Sequence, residues 1–134
     1  MRTRSVDKFL FKNYLAKARE FNQAAKAAYE NGMYNAAVVN AVHCAINAID
    51  ALTVFYKGVR HAGERHEDAV TLLQTLPIER EDINNKSRQL SRLLGIKTAA
   101  EYHETLLAKK DAEGALKDSK RLLEWVEGSL EQGL

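Results

Sequence analysis

The sequence predicts an all-α protein, an up-and-down bundle of four to five helices forming one domain over residues 1–134. Three observations carry this. Apolar residues recur at intervals of three and four along most of the chain, the period of a helix with one buried face. Alanine, leucine, lysine and glutamate dominate and there is a single proline, a composition that favours helix. No stretch alternates apolar and polar residues as a half-buried strand would, and there is neither an internal repeat nor a low-complexity tract.

The first helix is expected over residues 6–30, with Leu10, Tyr14, Ala18, Phe21, Ala25 and Ala28 on its core face. Ser5 is a candidate N-cap, and Asp7 falls in the first turn where the helix dipole favours a negative charge. Alanines 24, 25, 27 and 28 carry little bulk, so a neighbouring helix can approach closely there. Asn31-Gly32 is a stop-and-turn signal.

The second helix is expected from about Met33 to Lys57, a length of roughly 37 Å at the α-helical rise. It is apolar on nearly all sides, which marks it as the central helix of the fold. One thin polar line interrupts it: Asn40, His43, Asn47, Asp50 and Lys57. Their spacing keeps these side chains stacked on one face. Gly58 ends the helix. Residues 60–66, RHAGERH, then place two arginines and two histidines in seven positions. Residues 58–65 are expected as a loop, with His66, Glu67 and Asp68 opening a short third helix that Pro77 terminates. A fourth helix is expected over 79–94, capped by Gly95. Residues 96–109 look less regular, with Tyr102 and Leu106 or Leu107 as anchors on the bundle. The last helix starts at Lys110 or Asp111, carries a stripe from Ala112 to Leu130, and frays from Glu131.

Composition excludes several classes of function. The formal net charge of +2 gives no overall electrostatic case for nucleic acid. The excess of lysine and arginine in residues 1–30 reads most simply as a solvated face. Cys44, the single cysteine, rules out an intrachain disulfide and sits among alanines and isoleucines as a small buried hydrophobe. Residues 33–56 are apolar enough to raise a membrane span, but three asparagines, a histidine and an aspartate are costly in lipid. No membrane association is expected. The N-terminal MRTRSVDKFLFK lacks the apolar run of a signal peptide, so the expected location is the cytoplasm. No metal site is expected: His43 and Asn47 are one turn apart, but asparagine is a poor ligand for transition metals. No cofactor is expected. His103 is isolated and expected at the surface.

The order of these parts resembles the HEPN family of small prokaryotic helical domains found in toxin–antitoxin and defence systems. The family motif is an arginine, four to six residues, then a histidine, just after the long central helix. Here Arg60 is followed by His61, and five residues separate it from His66. YENGMYNAAVVNAVHCAINAIDAL resembles the family's first turn and second helix, and EYHETLLAKKDAEGALKDSKRLLEWV its closing segment.

The resemblance implies a metal-independent endoribonuclease, the toxin of a pair held in check by a cognate antitoxin. In that reading His66 is the acid or base, because imidazole titrates near neutrality. Arg60 clamps the phosphate, because a guanidinium fork matches two phosphate oxygens. His61 supports or shares the proton transfer. Asp50 and Asn47 are expected to orient the motif or touch substrate. Asn40 and His43 are assigned to structure or to an interface. DNA, lacking the 2′-OH, is not expected to be cut. The resemblance also implies a homodimer in which two motifs face one cleft, as does a helix so apolar around its girth with a polar seam that needs partners. The alternative is a non-catalytic dimeric bundle that binds a nucleotide or a partner protein such as a nucleotidyltransferase.

Overall fold

The computed structural model describes residues 1–63 and 65–134; Glu64, inside the RHAGERH stretch, lies outside the described residues. The described elements run β1 (Thr3–Ser5), a 3-10 turn (Lys8–Leu10), α1 (Phe11–Glu30), α2 (Tyr34–Lys57), β2 (Val59–His61), α3 (Glu67–Leu73), α4 (Arg80–Tyr102) and α5 (Lys109–Gly133). Among the described residues the fold is all-α apart from one antiparallel two-stranded ladder, β1 on β2.

The apolarity of α2 is explained by where it lies. It packs against α1, α4 and α5. From Ala37 to Val54 almost every side chain is buried, including Val38, Val42, Ile49 and Leu52. By length and composition α2 is apolar enough to cross a membrane, but 72% of its most apolar window is buried within the fold. A bundle core uses the same pattern. Ala18, Ala25 and Ala28 of α1 join that core with Ala37, Ala41, Ala45 and Ala48 of α2, small residues that let the two helices lie close. Ala24 and Ala27 face outward, so the alanine pairs serve close packing on one side only.

Around this core, several boundaries differ from the sequence expectation. Ser5 is a strand residue, and Asp7 is the cap: its carboxylate accepts from the Phe9 N–H at 3.0 Å. The segment after Gly58 is a strand, although no strand pattern is legible there. Three residues are too few to display an alternation. α3 ends at Leu73, ahead of Pro77. α4 does not stop at Gly95 but runs through it to Tyr102. A glycine inside a helix costs about 1 kcal/mol relative to alanine. That cost is offset by Ile96 and Ala100, which pack on the core, and by a Lys97–Glu101 pair one turn apart at 2.8 Å. Tyr102 and Leu106 anchor nothing, being 76% and 81% exposed. Leu107 does pack on the core, and its N–H donates to Asn35 Oδ1 at 3.3 Å. α5 opens at Lys109 and continues past Glu131 to Gly133.

Gly58 sets the direction of the strand after α2. It caps α2 in the left-handed region at φ +65°, its N–H donating to Val54 O. Its carbonyl accepts from Val6 N–H at 2.8 Å, and a Cβ here would lie 3.3 Å from Val6 O. A residue free of the Cβ penalty thus turns the chain and receives the N-terminal segment beside it. The ladder continues from there, with Ser5 opposite Val59, Arg4 opposite Arg60 and Thr3 opposite His61.

Candidate functional site

Successive side chains of a strand point to opposite sides, so β2 presents Arg60 and His61 to different surroundings. Arg60 lines a cavity of about 550 Å³ together with Asn47 and Asp50 of α2, Tyr14 and Lys17 of α1, and Arg4 of β1. His61 turns inward and is 5% exposed. Its Nδ1 lies 3.5 Å from Asp50 Oδ1, both side chains being 6% exposed. Asp50 therefore joins the two sides of the strand: it lines the cavity that holds Arg60 and it faces His61.

His66 precedes α3 in the N-cap position, but its side chain makes no capping bond. It is half-buried and its ring stands edge-on to that of His61, with centroids 5.9 Å apart at 68°. Burial holds its pKa below the usual imidazole value, and the positive charge of Lys97, then His61 and His43, adds to this. His43 is shifted the same way, by burial first and then by Lys97, and its ring packs on Phe21 with centroids 5.3 Å apart. The Lys97–Glu101 pair completes this second cluster, and the hydrogen bond from Lys97 holds the Glu101 carboxyl below its ordinary range.

The structure thus brings Arg60, Asp50 and Asn47 to one cavity and His61 and His66 to one ring pair, with Asp50 between them. His66 is not among the residues lining the Arg60 cavity. The polar seam of α2 does not satisfy itself side chain to side chain. Asn40 Nδ2 donates to Ala36 O and Asn47 Nδ2 to His43 O, each at 2.8 Å and one turn back along the same helix. Each amide's carbonyl oxygen is left to other partners. Lys57 turns away from the site and donates to Thr75 Oγ1 at 2.9 Å. His103 is exposed.

Buried polar atoms without partners are the exception in folded proteins. Among the described residues four side-chain atoms qualify, and three of them are Arg60 Nε, His61 Nδ1 and His66 Nδ1. Leaving a buried polar group unsatisfied costs about 1–3 kcal/mol, so this fold concentrates that cost in one short segment. No group of three or more His, Cys, Asp and Glu side chains is placed to hold a metal among the described residues. Sequence reasoning missed Arg4, Tyr14, Lys17 and Lys97. The basic excess of residues 1–30 was the available signal for Arg4 and Lys17. Nothing local pointed to Lys97.

A buried central helix, a glycine-turned strand carrying arginine and histidine, and a second histidine at the start of the next helix define a helical domain of a known kind. A family model of the HEPN domain matches residues 11–129, and the chain belongs to that family. The fold is similar to that of TT1696 from Thermus thermophilus, with a TM-score of 0.68 and 22% identity over 89% of this chain and 97% of that one. It is also similar to ST0689, an archaeal HEPN homologue, with a TM-score of 0.67 and 19% identity over 89% of this chain and 96% of that one. At these identities the likeness is one of fold. No curated protein sequence matches the chain.

Proposed function

We propose that the protein is a metal-independent endoribonuclease of HEPN type, with Arg60 and His66 as its central pair and a homodimer as its active unit. The observation that carries this reading is the set of buried nitrogens on Arg60, His61 and His66 that make no hydrogen bond among the described residues, the His61 atom having the Asp50 carboxylate at 3.5 Å. A fold tolerates such atoms where a substrate will meet them or where a proton must move.

In the proposed reaction the ribose 2′-oxygen attacks the adjacent phosphorus and the bond to the 5′-oxygen breaks. The products are a 2′,3′-cyclic phosphate and a 5′-hydroxyl. His66, whose pKa burial lowers, takes the 2′-OH proton in its neutral form. Arg60 neutralises the charge that builds on the phosphate oxygens. Asp50 holds His61 against His66, and His61 supports the proton transfer. The 5′-oxygen receives its proton from a protonated imidazole. Within one chain His66 does not line the Arg60 cavity, so a dimer that places two copies of the motif at one cleft supplies both groups to one phosphate. The second His66 then serves as acid while the first serves as base. A cognate antitoxin would act by covering this cleft.

The test is cleavage of single-stranded RNA by the purified protein in EDTA, with the product ends identified. His66→Ala is expected to lose about 100- to 10,000-fold in rate, and Arg60→Ala on the order of 100-fold or more. His61→Ala is expected to do less. Cleavage that needs added metal, or full activity in His66→Ala, overturns the mechanism. If no RNA is cut and the protein instead binds nucleotide or a nucleotidyltransferase, the non-catalytic reading takes its place.

A further inference from the structure

Arg4 and Arg60 are direct partners in the β1–β2 ladder. Side chains directly opposite in an antiparallel pair leave the same face with Cβ atoms about 4.5–5.5 Å apart. The two arginine side chains thus leave the ladder side by side, and both line the cavity described above. Like charges so placed repel and weaken the pairing. Lys17 lines the same cavity and adds a third cation. Its ammonium lies 5.6 Å from the centroid of the Tyr14 ring, which holds it without neutralising it.

Asp7 and Asp50 line the same cavity, but neither forms an ion pair with these cations among the described residues. Asp50 faces His61, and Asp7 caps the 3-10 turn. Among the described residues Arg60 donates only to its neighbour's carbonyl, His61 O, at 3.3 Å. A cavity lined by three cations and two carboxylates, in which none of the three is ion-paired among the described residues, is matched by an anion with several charged oxygens.

We propose that Arg4 and Lys17, with Arg60, form a phosphate-binding subsite that grips the backbone of single-stranded RNA beside the scissile bond. This rests on the ribonuclease reading for the identity of the anion. It extends the site to β1, which precedes the family match beginning at residue 11. The N-terminal strand is in this view a substrate-binding element, and Gly58 is the hinge point that docks it. Tyr14, half-buried in the same wall, offers its ring to a base.

The test is binding of a 2′-O-methyl oligoribonucleotide, which cannot be cleaved, followed by fluorescence anisotropy at several salt concentrations. Arg4→Gln and Lys17→Gln are each expected to weaken binding about tenfold and to reduce the salt slope by about 0.7, the share of one phosphate no longer neutralised. Lys120→Gln, on the outer face of α5, removes the same charge and is expected to leave binding within about twofold. Arg4→Glu separates binding from folding. It places opposite charges across the ladder, so the melting temperature is expected to rise while binding is lost. Unchanged binding in both glutamine variants, or a lower melting temperature in Arg4→Glu, overturns the proposal. Wild type that binds the oligonucleotide but cuts no RNA leaves the subsite standing and removes the ribonuclease reading. RNA cleavage by wild type together with unchanged binding in both glutamine variants does the reverse. No oligonucleotide binding by wild type overturns the subsite outright.

Discussion

The Asp50 carboxylate lies 3.5 Å from His61 Nδ1, with both side chains 6% exposed. The pair is buried where α2 meets β2, and it faces the ring of His66 on one side and the Arg60 cavity on the other. Removing one partner strands the other away from water. Asp50→Ala is expected to cost about 1–3 kcal/mol of stability, and Asp50→Asn less, because the amide keeps an acceptor at the same place. Activity per folded molecule is expected to fall in both as His61 loses its restraint. Thermal melts beside RNA cleavage assays check this; unchanged melting together with unchanged activity would sink it.

Stability is expected to rise with pH up to the ordinary histidine range. His66 and His43 both have folded-state pKa values lowered from 6.5, chiefly by burial. Between the folded and unfolded values the unfolded chain binds more protons, so stability increases with pH there and levels off above about 6.5. It is lost as pH falls through the folded values. Urea unfolding between pH 5 and 7.5 measures the slope, and the His43→Gln/His66→Gln double variant is expected to flatten it. A slope of opposite sign in wild type contradicts the burial of these rings.

Gly58→Ala is expected to destabilise the fold by roughly 1–2 kcal/mol, the cost of a Cβ in the left-handed region. The close approach to Val6 O at 3.3 Å adds to it. Because Val6 docks on the Gly58 carbonyl, the N-terminal strand is expected to loosen before the bundle does. Hydrogen exchange at Ala62 N–H, which donates to Arg2 O, reports this: faster exchange than in wild type with the core amides still protected. Equal protection at both would count against it.

Cys44 is expected to be inert in the native protein. It is fully buried, and burial pushes its thiol up to about 12, so almost no thiolate is available at neutral pH. A thiol reagent should react at the rate of unfolding, and rapid stoichiometric labelling of folded protein would disprove the packing of α2.

The proposed active unit is a homodimer, and light scattering at micromolar concentration tests it directly. A mass twice 15.1 kDa is expected. A stable monomer that still cleaves RNA would remove the second His66 from the mechanism.

The sequence carries unaided everything that a local period can encode. The all-α class, the central place of α2, and the single helical face shared by Asn40, His43, Asn47 and Asp50 follow from spacings of three and four that any helix enforces. The nomination of Arg60, His61 and His66 was legible too, because the stretch sits directly after the long helix. What those residues meet is set only by the packing of distant segments. The pairing of Arg4 with Arg60 joins chain positions far apart through two strands of three residues each, too short to leave an alternation in the sequence. Their register is fixed by Gly58 receiving Val6 rather than by any pattern within them. The continuation of α4 through Gly95, which brings Lys97 beside the histidines, was likewise hidden, because a glycine is a stop signal only when no packing outweighs its cost. The division of Arg60 and His66 between two environments comes from the pleat of one short strand and from the burial around it. Neither is encoded in the distance between the two residues along the chain.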